Sequence, residues 1–217
     1  MSIEDTYVHN VYRTIASHFD KTRYCLWNQV KCFLDTLSPY SIVLDNGCGN
    51  GKYLSYRSDL YMIGHDPCLE LLSFCREKHT ADVLQVNGLF PPYQTGKMDA
   101  CISIAVLHHL FTHASRKQFI QEMVRCVKPN GICFITVWAW EQEDPRVFTK
   151  WTPLSSSEKD FFIPWHTTKG EKIGQRYYHL FEKSEIDTLF SEIPEIDMMN
   201  IVYEKSNWCI TFRKVLK

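Results

Sequence analysis

Ser41-Ile42-Val43-Leu44-Asp45-Asn46-Gly47-Cys48-Gly49-Asn50-Gly51 decides how the rest of the chain is read. A short apolar run reaches an acid and then meets three alternating glycines. That order predicts a buried strand and a tight turn into a helix. Glycine turns sharply there and lets a ligand lie against bare backbone. The spacing is G-x-G-x-G; a dinucleotide fingerprint wants glycine at position 52, where Lys52 stands. The loop therefore suits a ligand with no pyrophosphate to hold. The bland alternative is a strand-to-helix turn that binds nothing.

Outward from this loop, helical and strand rhythms alternate. Val8, Val11, Tyr12, Ile15 and Phe19 predict a helix over 6–19, and a second runs over 27–37 to Ser38-Pro39. Apolar runs predict strands over 41–45, 60–64, 82–86, 98–104 and 132–137. Pro67 opens a helix that ends near His79. Ser115 is expected to cap a helix carrying Phe119, Ile120, Met123 and Val127, stopped by Pro129-Asn130-Gly131. From Glu141 to Gln175 the chain reads as an irregular insertion over the active edge of the sheet, with prolines at 145, 153 and 164. A helix over 184–191 and a hairpin of strands over 196–203 and 207–215 close the chain. The expected fold is α/β: five parallel strands plus the hairpin give a seven-stranded sheet with helices on both faces.

Composition narrows the class. The 217 residues suit a single domain over 1–217, 45% of them are hydrophobic, and 24 basic residues face 25 acidic ones. These figures exclude a disordered chain, and also one that holds nucleic acid by bulk charge. No apolar run approaches the ~18 residues of a membrane span. Met1-Ser2-Ile3-Glu4-Asp5 does not read as a signal peptide. The nine cysteines are odd in number and form no C-x-x-C pair, so no disulfide framework and no metal site is expected. Reduced thiols suit a cytoplasmic, or also nuclear, protein.

A second acid, Asp66, stands 19 residues after Gly47 at the end of the second strand. A carboxylate there accepts the hydrogens of two ribose hydroxyls. Asp45 is placed for an amino group or a loop amide. A nucleoside with an amino-acid tail meets both demands, which points to S-adenosylmethionine and its product S-adenosylhomocysteine. Asp66 before Pro67 also reads as a plain helix N-cap.

The run 44–53 resembles motif I of class I methyltransferases. More particularly, the chain resembles the tRNA methyltransferases that esterify 5-carboxymethyluridine at the wobble position of the anticodon. The likeness runs through Tyr7-Val8-His9-Asn10-Val11-Tyr12, Ile15-Ala16-Ser17-His18-Phe19 and Thr22-Arg23-Tyr24. It continues through Ser103-Ile104-Ala105-Val106-Leu107-His108-His109 and Val137-Trp138-Ala139-Trp140-Glu141-Gln142. Phe162-Ile163-Pro164-Trp165, Arg176-Tyr177-Tyr178-His179-Leu180-Phe181 and Asn207-Trp208 complete it. Two positions depart from the family pattern: Asn46 replaces an apolar residue, and Asn87-Gly88 stands for Asp-Gly beside the adenine. The 141–175 insertion is also shorter than the family's.

The resemblance implies a helical cap over the cofactor at 1–38 and methyl transfer to a carboxylate oxygen. Cofactor contacts are expected from Asp45, Gly47, Gly49, Gly51, Asp66, Pro67, Asn87, Gly88, Ala105 and His108. A carboxylate is ionised at neutral pH, so the reaction needs alignment and desolvation, with one or two donors on the acid. Arg23, His109, Arg176 and His179 are the candidate catalytic donors, with Arg23 equally suited to the cofactor's own carboxylate. Tyr24, Trp138, Trp165, Tyr177 and Asn207 are candidate substrate contacts, with Trp165 a lid anchor or a base-stacking platform. Tyr177 and Tyr178 alternate along a strand, so one goes to each face.

Three runs are locally basic: four cations against one acid over 13–31, six against three over 146–176, and four against one over 115–128. They fit a basic rim for a tRNA anticodon stem-loop. The rivals are a methyltransferase for a small-molecule or protein carboxylate, and a catalytically weak scaffold of the same fold. The resemblance further implies a small zinc-binding activator subunit. The apolar stretch 82–87 is expected at an open sheet edge without guarding Lys or Pro, so a partner strand there would cover Val83, Leu84, Leu89 and Phe90. The alternative is that Phe90-Pro91-Pro92 folds back over the edge.

Overall fold

The parallel strands are apolar on both faces, and this dictates helices on either side of them. The computed structural model describes residues 1–78, 81–155 and 157–215. A seven-stranded sheet runs in the order β3-β2-β1-β4-β5-β10-β9. Its parallel part is β1 (Ile42–Asn46), β2 (Tyr61–Asp66), β3 (Asp82–Gln85), β4 (Met98–Ile104) and β5 (Val127–Trp138). The closing hairpin, β9 (Ile196–Glu204) and β10 (Asn207–Lys214), joins through β10 antiparallel to β5. This is the expected sheet. Among the described residues no helix is long and apolar enough to cross a membrane.

Helices α1 (Asn10–Thr22), α2 (Asn28–Asp35), α3 (Leu69–Lys78), α4 (His113–Cys126) and α5 (Lys183–Ser191) accompany it. The expected end of α3 at His79 lies outside the described residues. One core cluster packs Phe119, Ile120 and Met123 of α4 and Leu189 and Phe190 of α5 onto β5 and β10. Full burial of such a side chain stabilises by about 1.5–3 kcal/mol. A second cluster packs Val30, Phe33 and Leu34 of α2 against the opposite side. A single π turn over Asp5–His9 precedes α1.

Three local expectations are corrected. Thr112, not Ser115, caps α4: its hydroxyl accepts the Ser115 N–H at 3.0 Å. Pro129-Asn130-Gly131 does not stop α4, which ends at Cys126; it lies inside β5, with Asn130 at φ 61° and a register shift against β4. The 141–175 stretch is not irregular. It holds most of an antiparallel sheet of β6 (Thr152–Pro153), β7 (Asp160–His166) and β8 (Lys172–His179). Its prolines mislead because Pro153 sits in the two-residue edge strand β6, and Pro164 lies in β7 beyond the stretch paired with β6, so that side of the strand is open there.

The β3 edge is open, as expected. Leu84 is 43% and Phe90 68% exposed, so the following loop does not bury the strand. Leu89 instead packs against the main core and is withdrawn from that edge.

The capping assignment has a direct test. Thr112→Ala should cost about 1 kcal/mol of unfolding free energy. Ser115→Ala should cost well under half of that, since its backbone N–H makes the capping bond. Urea midpoints of both variants check it.

Candidate active site

Strand order reverses between β1 and β4, and α/β folds bind ligands in the crevice that opens there. A cavity of about 260 Å³ occupies this place, bounded by the ends of both strands, the glycine loop, α1 and β8. The loop geometry demands glycine at position 47. Its φ is +88°, and a Cβ there would stand 2.4 Å from Val106 Cγ2. The Gly47 and Cys48 amides both donate to the His65 carbonyl, at 2.9 and 3.0 Å, which locks the loop onto β2. Ala105, directly after β4, holds φ +60° at the cavity wall, a strained setting for a residue with a Cβ.

Two acids line one end. Asp45 is buried and its Oδ1 has no partner. Burial first, and the Asp66 charge second, push its pKa up to about 7. Asp66 is pushed up to about 6 by burial, although its Oδ2 accepts Gly49 N–H at 3.0 Å and its Oδ1 accepts Cys68 N–H at 2.8 Å. Asp66 lines the cavity but is not the N-cap of α3: its carbonyl accepts Val86 N–H in the sheet, and the Cys68 carbonyl takes the first helical bond, from Leu72. Burial lowers the Lys52 pKa to about 8. Asn87 spends its side-chain oxygen on Leu89 N–H at 2.9 Å, a local turn. Asn46 is bound to a buried histidine: its Oδ1 accepts from His65 Nε2 at 2.8 Å, and its Nδ2 donates weakly to Gly88 O at 3.4 Å. A Cβ at Gly88 would lie 2.2 Å from Asn46 Oδ1.

The other end is cationic and aromatic. Arg176, on β8, is 6% exposed. Its Nη1 donates to Tyr178 Oη at 2.6 Å and, longer, to Tyr12 Oη at 3.4 Å. Its Nε is buried without a partner, and no carboxylate among the described residues pairs with it or with Arg23. His109 Nδ1 lies 2.8 Å from the Tyr177 carbonyl oxygen, so it carries the ring proton. Nε2 is then the acceptor for the Tyr12 hydroxyl at 2.9 Å. Burial above all, then Arg176, lowers the His109 pKa to about 3. Trp165 is buried; its Nε1–H donates to His18 Nδ1 at 3.0 Å, and the guanidinium carbons of Arg23 and Arg176 lie 4.7 and 4.6 Å from its ring centre.

Of the expected residues, Arg23, His109, Arg176, Asp45, Gly47, Gly49, Asp66, Pro67, Asn87, Gly88, Ala105 and Trp138 meet at this cavity. The others do not line it. Tyr177 and His179 face away: both bind Asp160 Oδ1 at 2.7 Å, and His179 Nε2 lies 2.6 Å from Glu185. Strand alternation is the cause, since Arg176 and Tyr178 share one face of β8, and Tyr177 and His179 the other. His108 lies behind the wall, its ring 4.6 Å from that of Tyr178. Trp165 is an anchor under the two arginines, and its burial rules out a base-stacking platform. His109 has no N–H left for a carboxylate. Gly51 shapes the turn at φ +75°, Asn207 pairs with Trp138 and Glu204 in the sheet, and Tyr24 lies outside the cavity, 72% exposed.

Tyr12 and Tyr178 were missed as site residues. The period of β8 contained the signal for Tyr178: any argument that aims Arg176 at the ligand aims Tyr178 there too. Tyr12 is one apolar-face position of α1 among several, and only its contact with His109 marks it.

Residues 44–135 match the family model described as a methyltransferase domain. The chain is 35% identical to the tRNA (carboxymethyluridine(34)-5-O)-methyltransferase of Schizosaccharomyces pombe, over 97% of each chain. It is 30% identical to the protein of the same name from Arabidopsis thaliana, over 98% of this chain and 81% of that one. The chain belongs to this tRNA methyltransferase family. It spans 42–45% of the length of three longer vertebrate relatives of that name. Its fold superimposes on the crystal structure of a SAM-dependent methyltransferase from Methanosarcina mazei with a TM-score of 0.72, at 18% identity, over 88% of this chain and 99% of that one.

The residues present fit S-adenosylmethionine. The orphaned Asp45 Oδ1 suits an ammonium. Each Asp66 oxygen, engaged by one amide, has a lone pair left for a ribose hydroxyl. Asn87, whose side-chain oxygen also has a lone pair left beside its bond to Leu89 N–H, lines the cavity next to Gly88, where no Cβ is tolerated.

Asp45 gives a pH test of this site. Folded, it holds its proton to about pH 7; its ordinary value is 3.8. Between these values the folded state binds the extra proton, so stability falls as pH rises, and the full penalty is present above pH 7. Asp45→Asn should therefore raise the melting temperature most above pH 7, with the difference closing toward pH 4. The same variant should lose S-adenosylmethionine affinity at least tenfold by calorimetry.

Proposed function

We propose that this tRNA methyltransferase family member transfers the methyl group of S-adenosylmethionine to the carboxylate of 5-carboxymethyluridine at the wobble position of tRNA, forming the methyl ester. One observation carries the reading: Arg176 is buried at the cavity wall beside tyrosines, with no carboxylate partner. Such a site is complete only when an anion enters it. Family membership supplies the tRNA.

S-adenosylmethionine supplies an electrophilic methyl group when bound. The chain's own residues bind, orient and desolvate. A carboxylate with a pKa of about 4 is ionised at neutral pH, so no base is required. The neutral His109, with both ring nitrogens engaged, fits a site that moves no proton. Arg176 grips the substrate acid, and its ties to Tyr12 and Tyr178 fix the direction of the guanidinium. Arg23, at the rim, takes the other carboxylate, that of the methionine tail. Trp138 borders the same space and excludes water from the oxygen that reacts.

The reading is tested on tRNA bearing the free acid. Mass spectrometry of its anticodon nucleosides should show the methyl ester after incubation with protein and cofactor, and none without either. Arg176→Lys should lower the rate at least tenfold while cofactor affinity holds, because a point charge cannot reproduce the fork. Full activity of that variant would place the grip elsewhere.

We further propose the open β3 edge as the docking site of a small zinc-binding activator subunit. The support is the exposed strand, with unpaired backbone groups and an exposed Leu84 and Phe90. The nine cysteines are all free, which suits a reducing compartment, cytoplasmic or nuclear. Val83→Lys with Gln85→Pro should abolish co-purification with such a subunit. A parent chain that is monomeric and fully active alone would sink this part.

A further inference from the structure

The basic side chains fall into two groups. Those of α4 and the strand after it are neutralised: Lys117 by Glu192, Arg125 by Glu122 and Lys128 by Asp99. In the insertion, Arg146 is held by Asp144 and Lys159 by Glu182. The basic run over 115–128 is thus cancelled by pairing, whereas that over 146–176 is paired only at Arg146 and Lys159. Cations without a carboxylate partner among the described residues, such as Lys97, Lys150 and Lys205, occur elsewhere too, but four of them sit on two elements that pack together. Arg13 and Lys21 of α1, and Lys169 and Lys172 at the tip of the β7–β8 hairpin, have no carboxylate partner among the described residues.

The fold packs the two elements that carry these four against each other. On α1, residues 10, 13, 14, 17 and 21 are exposed, and no acid is among them. The one acid of the helix, Asp20, is occupied by Asn50 and Lys78. The helix lies directly on β8, where a Cβ on Gly174 would stand 2.9 Å from Val11 Cγ1. Lys169 and Lys172 are exposed beside it, with Glu171 the single acid of the tip. At the C-terminal end of α1, Arg23 enters the cavity wall and Tyr24, the next residue, is 72% exposed.

We infer that the outer face of α1 and the tip of the β7–β8 hairpin form the track for the RNA backbone flanking the target nucleotide, with Tyr24 stacking on a neighbouring base. The inference rests on the tRNA reading and deepens it. Unpaired cations suit phosphodiesters, which are regular and strongly charged. An exposed tyrosine among them suits an unstacked base of a single-stranded loop, and an acidic protein would leave that ring without use. The reactive end of the cavity lies behind α1, so the target nucleotide must leave its stack to enter, which splays its neighbours over this face.

The test is binding of an anticodon stem-loop RNA across a salt series. Lys169→Ala with Lys172→Ala, and separately Arg13→Ala with Lys21→Ala, should each flatten the slope of log affinity against log salt by about 0.7 per lost phosphate contact. Tyr24→Ala should weaken binding about tenfold without changing the slope. Arg146→Ala with Lys183→Ala, which removes the cations paired with Asp144 and Asp187, should match the parent. Cofactor affinity should be unchanged in all of them, since none touches that end of the cavity. If the parent binds the RNA and both α1 and hairpin variants keep its slope, the track is wrong while the tRNA reading stands. If poly-glutamate competes as well as the RNA, the surface is an acidic-protein site and the inference fails. If the parent binds no RNA at any salt, the tRNA reading falls and takes the track with it.

Discussion

A guanidinium withdrawn from water without a counter-ion is costly, and it stays in place only where its surroundings hold it there. Arg176 is such a group, and a second, fully compensated network holds it. On the reverse face of β8, Asp160 receives Tyr177 and His179; Arg116 of α4 lies 3.9 Å from Asp160 and 3.6 Å from Glu185 of α5. These bonds fix the insertion sheet onto two helices of the main fold. Because alternate residues of a strand face opposite sides, fixing Tyr177 and His179 in the network fixes Arg176 and Tyr178 at the cavity. The motif Arg176-Tyr177-Tyr178-His179 thus encodes two functions on one strand, one face for support and one for the ligand.

The main fold was legible because parallel strands announce themselves as continuous apolar runs, and the glycine loop dates the first of them. The insertion was not. Its two longer strands carry no continuous apolar run, and their apolar content is largely aromatic. Its core is a cluster of Trp138, Trp140, Phe148, Trp151, Phe161 and Tyr178 that no single window of sequence reveals. The site was legible where backbone conformation demands a residue type, as at Gly47, or where an acid ends a strand, as at Asp66. It was illegible where function depends on which of two neighbouring residues faces inward. His108 and His109 differ in this way: the 3-10 turn over Leu107–His109 sends only His109 to the cavity.

Asn46 shows how a departure from pattern acquires a physical reason. An amide in place of an apolar side chain under the cofactor loop would be costly if unpaired. Here it is paired, with His65, a residue of the neighbouring strand. His65 is buried and neutral, its pKa lowered to about 4 by desolvation. A neutral imidazole donating to an amide oxygen adds no net charge beneath a cavity that already holds two carboxylates. The pair also presses against Gly88, tying the loop after β3 to the glycine loop. The departure therefore brings its own hydrogen-bonded tether between β1, β2 and the Gly88 loop.

The charge pattern of the cavity is polar in the literal sense. Asp45 and Asp66 stand at one end, both with pKa values raised by burial, and that of Asp45 raised further by the charge of Asp66. Arg23 and Arg176 stand at the other, and after burial it is Arg176 that lowers the pKa of Arg23. Each end is thus strained by like charge, and each strain is relieved by a ligand group of the opposite sign. An amino-acid tail carries both signs and so relieves both ends at once. A second carboxylate relieves what remains at the cationic end. Once that carboxylate becomes an ester, its charge is gone and the repulsion between the arginines returns. On the proposed reading the sulfonium loses its positive charge in the same step, so the net charge of the bound pair is unchanged, and what the ester loses is the charge-assisted bond to Arg176.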